Sequence, residues 1–195
     1  MNRAEEEVAP RHLNAYGRSK ALADVEARKH GNAVALRPHV VYGPGDRTLL
    51  PRLVDSIHGG RLVSVGHPGV KHQLTHVDNL VRAVLAACQS TVRGAVNVGD
   101  AEPVALGAVL RQVLDVSGHA NVPIAYLPEP AAMALAAVSE AASRATGRAP
   151  RLTRYAVSQV GKERTYCLDR LRCELGIEPI STTVADAGKW LKHRA

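Results

Sequence analysis

The sequence predicts an α/β fold with a parallel sheet, on three observations. Short strand-length runs, AVALR at 33–37, LVSV at 62–65, AVNVG at 95–99 and VPIAYL at 122–127, alternate with longer segments of helical period. Glycine and proline punctuate the junctions between them. The chain has 195 residues, 46% of them hydrophobic and 22% charged, enough for one domain or one with a small appendage. Phe is absent and aromatic residues make up only 3%, so Ala, Val and Leu must fill the core.

Taken in order, residues 14–30 read as a helix whose narrow apolar stripe is Ala15, Leu22 and Val25, stopped by Gly31 and Asn32. AVALR follows as a buried strand ended by Pro38, and VYGPGD at 41–46 reads as a loop. Residues 48–58 suggest a helix closed by Gly59 and Gly60, and LVSV a short strand. Asp78 opens the helix NLVRAVLAAC as its N-cap or a first-turn residue. AVNVG is a second buried strand. VALGAVLRQVLDVSG is an amphipathic helix ending at Gly118. VPIAYL is a strand, 130–146 an alanine-rich helix, and the tail carries helices at 169–175 and 183–193 with Trp190 packing inward. A boundary near Asp100–Pro103 divides the chain into 1–100 and 101–195, beyond which helices dominate.

Composition narrows the function. The net charge is +7, but the cations are scattered, mostly arginine, and not interleaved with stacking aromatics, which argues against nucleic acid. The start, MNRAEEEVAPR, lacks the apolar core of a signal peptide, and no run is long enough to span a bilayer. A peripheral membrane contact stays open. Cys88, Cys167 and Cys173 form no CxxC pair, which points to a reduced, cytoplasmic setting. His67, His72 and His76 lie close in sequence, but in a segment read as loop and helix entry, so no metal site is expected.

The sharpest chemical feature is Tyr16-Gly17-Arg18-Ser19-Lys20, which puts Tyr16 and Lys20 on one helix face. A free tyrosine, with a pKa of about 10, is a poor base at neutral pH. A neighbouring ammonium favours the phenolate, so the pair can move a proton to or from a hydroxyl or carbonyl. The ammonium also suits a ribose hydroxyl. For a bare Y-x-x-x-K the plain alternative is a packed tyrosine beside a solvated lysine.

YGRSKALAD, ALRPHVVYGPGD, THVDNLVRAVLAA and GAVNVGD occur in this order, followed by a tail with LGIEP and a last helix carrying Trp190. This succession resembles the extended short-chain dehydrogenase/reductase superfamily. Within it the chain looks most like the 3β-hydroxysteroid dehydrogenase and NAD-dependent epimerase/dehydratase branch. The resemblance covers essentially the whole chain. It implies a partial Rossmann-like parallel sheet, the C-terminal half of such a domain, with a small, mostly helical substrate-binding region over 101–195. By the same resemblance Tyr16 is the catalytic acid/base, and Lys20 tunes it and holds the nicotinamide ribose. Pro38, His39, Val40 and Val41 lie against the nicotinamide of NAD or NADP. VYGPGD lines the substrate cleft, with Tyr42, Arg47 and His76 as substrate-side candidates. Arg47 reads equally as a surface charge, and His76 as structural. The implied partners are the dinucleotide and a small hydroxyl or carbonyl substrate, sterol-like or other, and a homodimer is a candidate. A sugar-nucleotide epimerase or dehydratase, or a non-catalytic remnant of the fold, is the alternative. The sugar-nucleotide version is weakened because Lys71 and His72 stand where that branch has a phosphate-gripping arginine.

Enzymes of this kind hold the pyrophosphate in a glycine-rich βα turn. No G-x-x-G-x-x-G occurs here; the close glycine pairs are Gly43/Gly45, Gly59/Gly60 and Gly66/Gly69. The expectation is therefore a truncated chain, with Met1 a misplaced start, a frameshift remnant or a genuine short product. An exposed strand edge and marginal stability go with it. Residues 122–145 read as core or dimer packing, or alternatively as an apolar lid in which Met133 lines a pocket.

Overall fold

The computed structural model describes residues 2–3, 5, 15–47, 49–150, 152–185 and 187. In chain order the first half comprises β1 (Asn2–Arg3), α1 (Ala15–Lys29), β2 (Val34–Pro38), β3 (Val40–Tyr42), α2 (Leu49–Asp55), β4 (Leu62–Val65), β5 (Lys71–His72), β6 (Leu74–His76), α3 (Val77–Gln89) and β7 (Gly94–Val98). There follow β8 (Val104–Ala105), α4 (Leu106–Val116), β9 (Ile124–Leu127), α5 (Glu129–Thr146), α6 (Arg154–Val160), β10 (Thr165–Tyr166) and α7 (Asp169–Cys173).

The strands associate in pairs. β2 runs parallel to β7, β3 to β6, β4 to β9 and β1 to β10, while β5 and β8 are antiparallel. The expected parallel α/β architecture is therefore present. His39 separates the β2/β7 pair from the β3/β6 pair, and Thr75 joins them. Its hydroxyl donates to the Val98 carbonyl at 3.0 Å and accepts from the His39 amide at 3.1 Å. β9 on β4, and β10 on β1, weave the second half of the sequence into the first.

Helix α1 is held differently from expectation. Leu22 is 59% and Val25 46% exposed, so the Ala15–Leu22–Val25 stripe does not face the core. The half-buried residues are instead Gly17, Ala21, Asp24 and Ala27. Their spacing marks one helix face, and three of them are small, which lets α1 lie close to β2. Arg37 of β2 grips Asp24 with two hydrogen bonds of 3.0 and 2.7 Å, fixing that face inward.

The core is aliphatic, as a chain without Phe requires. Ala83, Val96, Val98, Leu168, Leu171 and Leu175 pack α3, β7 and α7 together. Tyr42, Leu50, Leu74, Val109 and Val113 join β3, α2, β6 and α4. Leu62, Leu110 and Leu114 form a third cluster, and Ala132, Ala136 and Val157 a fourth. Met133 packs on that last cluster. Gly107 opens α4 against Pro68, whose Cβ would lie 2.6 Å from any added Cβ, so no larger residue fits. Arg170 covers the edge of β7: it donates to the carbonyls of Arg93, at 2.8 Å, and Ala95, and pairs with Glu174 through two nitrogens. Those bonds satisfy two carbonyls along the β7 edge.

Several expected boundaries shift. The segment read as a loop from residue 41 begins as strand β3, because Val40–Tyr42 pair in register with Leu74–His76. α3 starts at Val77, with His76 as its N-cap and Asp78 in its first turn. VALGAV splits into β8 and α4, since Val104 and Ala105 pair with His72 and Lys71. Trp190 and most of the last expected helix lie outside the described residues.

Candidate functional site

Tyr16 and Lys20 share the first turns of α1, one helical turn apart. The Lys20 ammonium lies 5.8 Å from the centre of the Tyr16 ring, over its face. Tyr16 is 60% exposed, so its hydroxyl is accessible to a ligand. Both residues line a solvent-open cleft of about 620 Å³, together with Gly17, Asp24, Arg28, Arg37, Pro38 and Tyr166. Pro38 is the last residue of β2, which puts the cleft beside the carboxyl end of a parallel strand, where α/β folds bind ligands. The Arg37 guanidinium beside Asp24 holds that carboxyl below its ordinary range, so the Arg37–Asp24 pair is a fixed wall of the cleft.

Of the other expected cofactor residues, Pro38 lines this cleft and His39 follows it directly. The His39 ring packs at 5.1 Å against Tyr166 and lies nearly parallel to His72 with ring centres 6.5 Å apart. Val40 and Val41 continue into β3, Val41 at 36% exposure. The donor set fits the nicotinamide-ribose end of a dinucleotide: a phenol and an ammonium on one face, with Pro38 at the end of β2 beside them. No glycine-rich cradle in this sequence supplies a pyrophosphate site.

Of the substrate-side candidates, Tyr42 and Arg47 line a second cleft of about 350 Å³, formed by Val41 to Arg47 and Val77, and His76 is not part of its lining. Arg47 is exposed at its rim. Tyr42 is 2% exposed, and its hydroxyl donates to Asp100 at 2.9 Å while accepting from the Thr183 amide at 3.0 Å. Burial, and then the Asp100 carboxylate, push the Tyr42 phenol far above its ordinary value, so it stays protonated. His76 meets the Tyr42 ring edge-on at 5.1 Å and caps α3 by accepting from the Asp78 amide at 3.2 Å. Gly43, between them, has φ +134°, and a Cβ there would lie 2.7 Å from Val77 and 3.2 Å from His76.

Asp100, which the sequence did not single out as a site residue, organises this end of the fold. It is fully buried. Its carboxylate accepts from Tyr42, Thr182, Asn79 and the His76 amide at 2.9, 2.8, 2.9 and 2.6 Å. Tyr166 was also missed; it is 150 residues from Tyr16 in sequence, and no local motif announces it. Lys71 is exposed, whereas His72 is 3% exposed with its Nε2 3.2 Å from the Val160 carbonyl. Burial lowers the His72 pKa below its ordinary value. Among the described residues no group of three His, Cys, Asp or Glu could hold a metal ion, and no helix is long and apolar enough to cross a membrane.

Comparison with known proteins adds the following. Residues 2–99 match the model of the NAD dependent epimerase/dehydratase family. The chain is 30% identical to short-chain dehydrogenase/reductase family 42E member 1 of Danio rerio, covering 94% of this chain and 53% of that protein. It is 30% identical to a 2-alkyl-3-oxoalkanoate reductase of Stenotrophomonas maltophilia, over 84% of this chain and 53% of that protein. Among solved structures, gox2253 superposes with a TM-score of 0.74 at 23% identity, over all of this chain and 62% of that one. DesIV, a dTDP-glucose 4,6-dehydratase from Streptomyces venezuelae solved with NAD and TYD, gives 0.70 at 16% identity, over all of this chain and 55% of that one. These two likenesses establish the fold. The chain spans about half the length of the curated relatives it matches.

Proposed function

The chain belongs to the NAD dependent epimerase/dehydratase family, and we propose that it carries the nicotinamide-side half-site of an NAD(P)-dependent oxidoreductase acting on a hydroxyl or carbonyl group. The observation that carries this reading is the placement of Tyr16 and Lys20 side by side at one accessible cleft next to the end of β2. A nicotinamide cofactor supplies hydride transfer when bound. Tyr16 Oη gives a proton to the substrate oxygen in the reducing direction and takes one from the hydroxyl in the oxidising direction. The Lys20 ammonium holds a ribose hydroxyl and favours the phenolate through its charge. The Pro38–Val41 backbone orients the nicotinamide, and the Tyr42–Arg47 loop faces the substrate.

The substrate class that fits best is a carbonyl on an apolar carbon skeleton. A relative at 30% identity is a 2-alkyl-3-oxoalkanoate reductase. The sugar-nucleotide reading needs a cation offered to a diphosphate where Lys71 and His72 stand; His72 is buried and turned to the Val160 carbonyl, which leaves the exposed Lys71 alone for that role. The test is NADH- and NADPH-dependent reduction of a panel holding a 2-alkyl-3-oxoalkanoate, a 3-oxosteroid and simple ketones. Turnover of one of these is expected, falling about 100-fold in Tyr16→Phe, as for loss of a positioned acid. Undiminished turnover in Tyr16→Phe refutes the assignment.

A further inference from the structure

The Tyr16–Lys20 cleft has one wall that does not come from α1 or β2. Tyr166 belongs to β10, in the C-terminal part of the chain, yet it lines the cleft with Tyr16, Lys20 and Pro38. Its position is well fixed. The preceding residue, Thr165, is buried, and the carbonyl of the next, Cys167, accepts from Asn97 Nδ2 at 3.2 Å. One residue earlier, the Arg164 backbone bonds to Lys71 and Gln73 at 2.9 and 2.7 Å. A side chain held this way is preorganised.

From this anchor the Tyr166 ring meets the His39 ring at 5.1 Å, tilted by 57°, with its hydroxyl 3.5 Å from His39 Nδ1. His39 also lies nearly parallel to the buried His72, with ring centres 6.5 Å apart. The imidazole thus has two ring neighbours, and its backbone amide is tied to Thr75. His39 follows Pro38, so these contacts fix the backbone that leaves β2.

We infer that Tyr166 is a positioning residue of the nicotinamide half-site: it walls the Tyr16–Lys20 cleft and, through the ring of His39, holds the Pro38–His39 backbone in the orientation that receives a nicotinamide ring. This rests on the proposed function and adds a residue to it. It also makes the C-terminal segment part of the cofactor site. The ring does the positioning, so Phe should replace Tyr166 and an aliphatic residue should not.

The probe is reduced nicotinamide mononucleotide, which needs only the half-site present in this sequence. It is titrated by fluorescence into the full chain and into Tyr166→Phe and Tyr166→Leu, with a thermal melt of each. Expected is saturable binding by the unaltered chain, a Kd within about twofold in Tyr166→Phe, and a Kd raised about tenfold in Tyr166→Leu at an unchanged melting temperature, the scale of one aromatic contact. A merely structural tyrosine would move the melt and leave Kd alone. If Tyr166→Leu does not fold, His39→Ala takes its place with the same expected loss. Saturable binding that is equal in all variants overturns this inference and leaves the proposed function standing. No saturable binding by the unaltered chain overturns both.

Discussion

Replacing Asp100 by Ala removes the acceptor of four hydrogen bonds at a fully buried position. Hydrogen bonds to a charged group contribute roughly 1.5–3 kcal/mol each, and a buried donor left without a partner costs about 1–3 kcal/mol. The four are not additive. Tyr42 keeps its bond from the Thr183 amide and Asn79 keeps the Ile180 carbonyl, so part of the network survives. A loss of about 4 kcal/mol is expected, the scale of breaking a buried charged network and a large share of a domain's stability. Asp100→Asn should cost much less, about 1–2 kcal/mol. Its carbonyl can face the His76 and Asn79 donors while its amide faces the Tyr42 and Thr182 hydroxyls, which can turn to accept. The assay is urea unfolding followed by far-UV circular dichroism. Asp100→Ala within about 1 kcal/mol of the parent, or costing no more than Asp100→Asn, would refute the reasoning that Asp100 ties β3, β6, α3 and the 180–183 segment together.

Gly43→Ala combines a positive φ with a 2.7 Å approach to Val77, so a loss of about 2 kcal/mol or more is expected in the same assay. Leu114→Ala, at a fully buried position of α4, should cost about 3 kcal/mol, read from the urea midpoint. Because burial lowers the His72 pKa, the unfolded chain takes up that proton first. The stability His72 contributes is full above its ordinary value of 6.5 and is lost as pH falls below it. His72→Gln should flatten the acid limb of a stability–pH curve; an unchanged limb excludes His72 as its cause. Tyr42 has the opposite sense: its raised value holds stability below the ordinary value of 10.0, to be lost as pH rises beyond it. Tyr42→Phe should remove that alkaline loss in melts across the same range.

Long, strongly patterned segments were legible. LVSV is β4 residue for residue, and the amphipathic α4 buries the face its period marks. What was not legible depends on partners far away in sequence. The two-residue strands β5 and β8 pair with each other, and β5 also bridges to Arg164, so both depend on partners distant in sequence. α1 faces inward through Gly17, Ala21, Asp24 and Ala27 because Arg37 claims Asp24, so its larger apolar residues point out. At the site, Tyr16 and Lys20 were readable because i, i+4 spacing is local. Asp100 and Tyr166 were not, since they reach Tyr42 and His39 from 58 and 127 residues away.

The most direct test of the Tyr16–Lys20 half-site is a fluorescence titration of NADH into the 195-residue chain, its Lys20→Ala variant and its Tyr16→Phe variant. Saturable binding that weakens about tenfold in Lys20→Ala, on the scale of one charged hydrogen bond, and changes little in Tyr16→Phe is the predicted result. A folded chain whose NADH affinity is the same with and without the Lys20 ammonium would contradict the account.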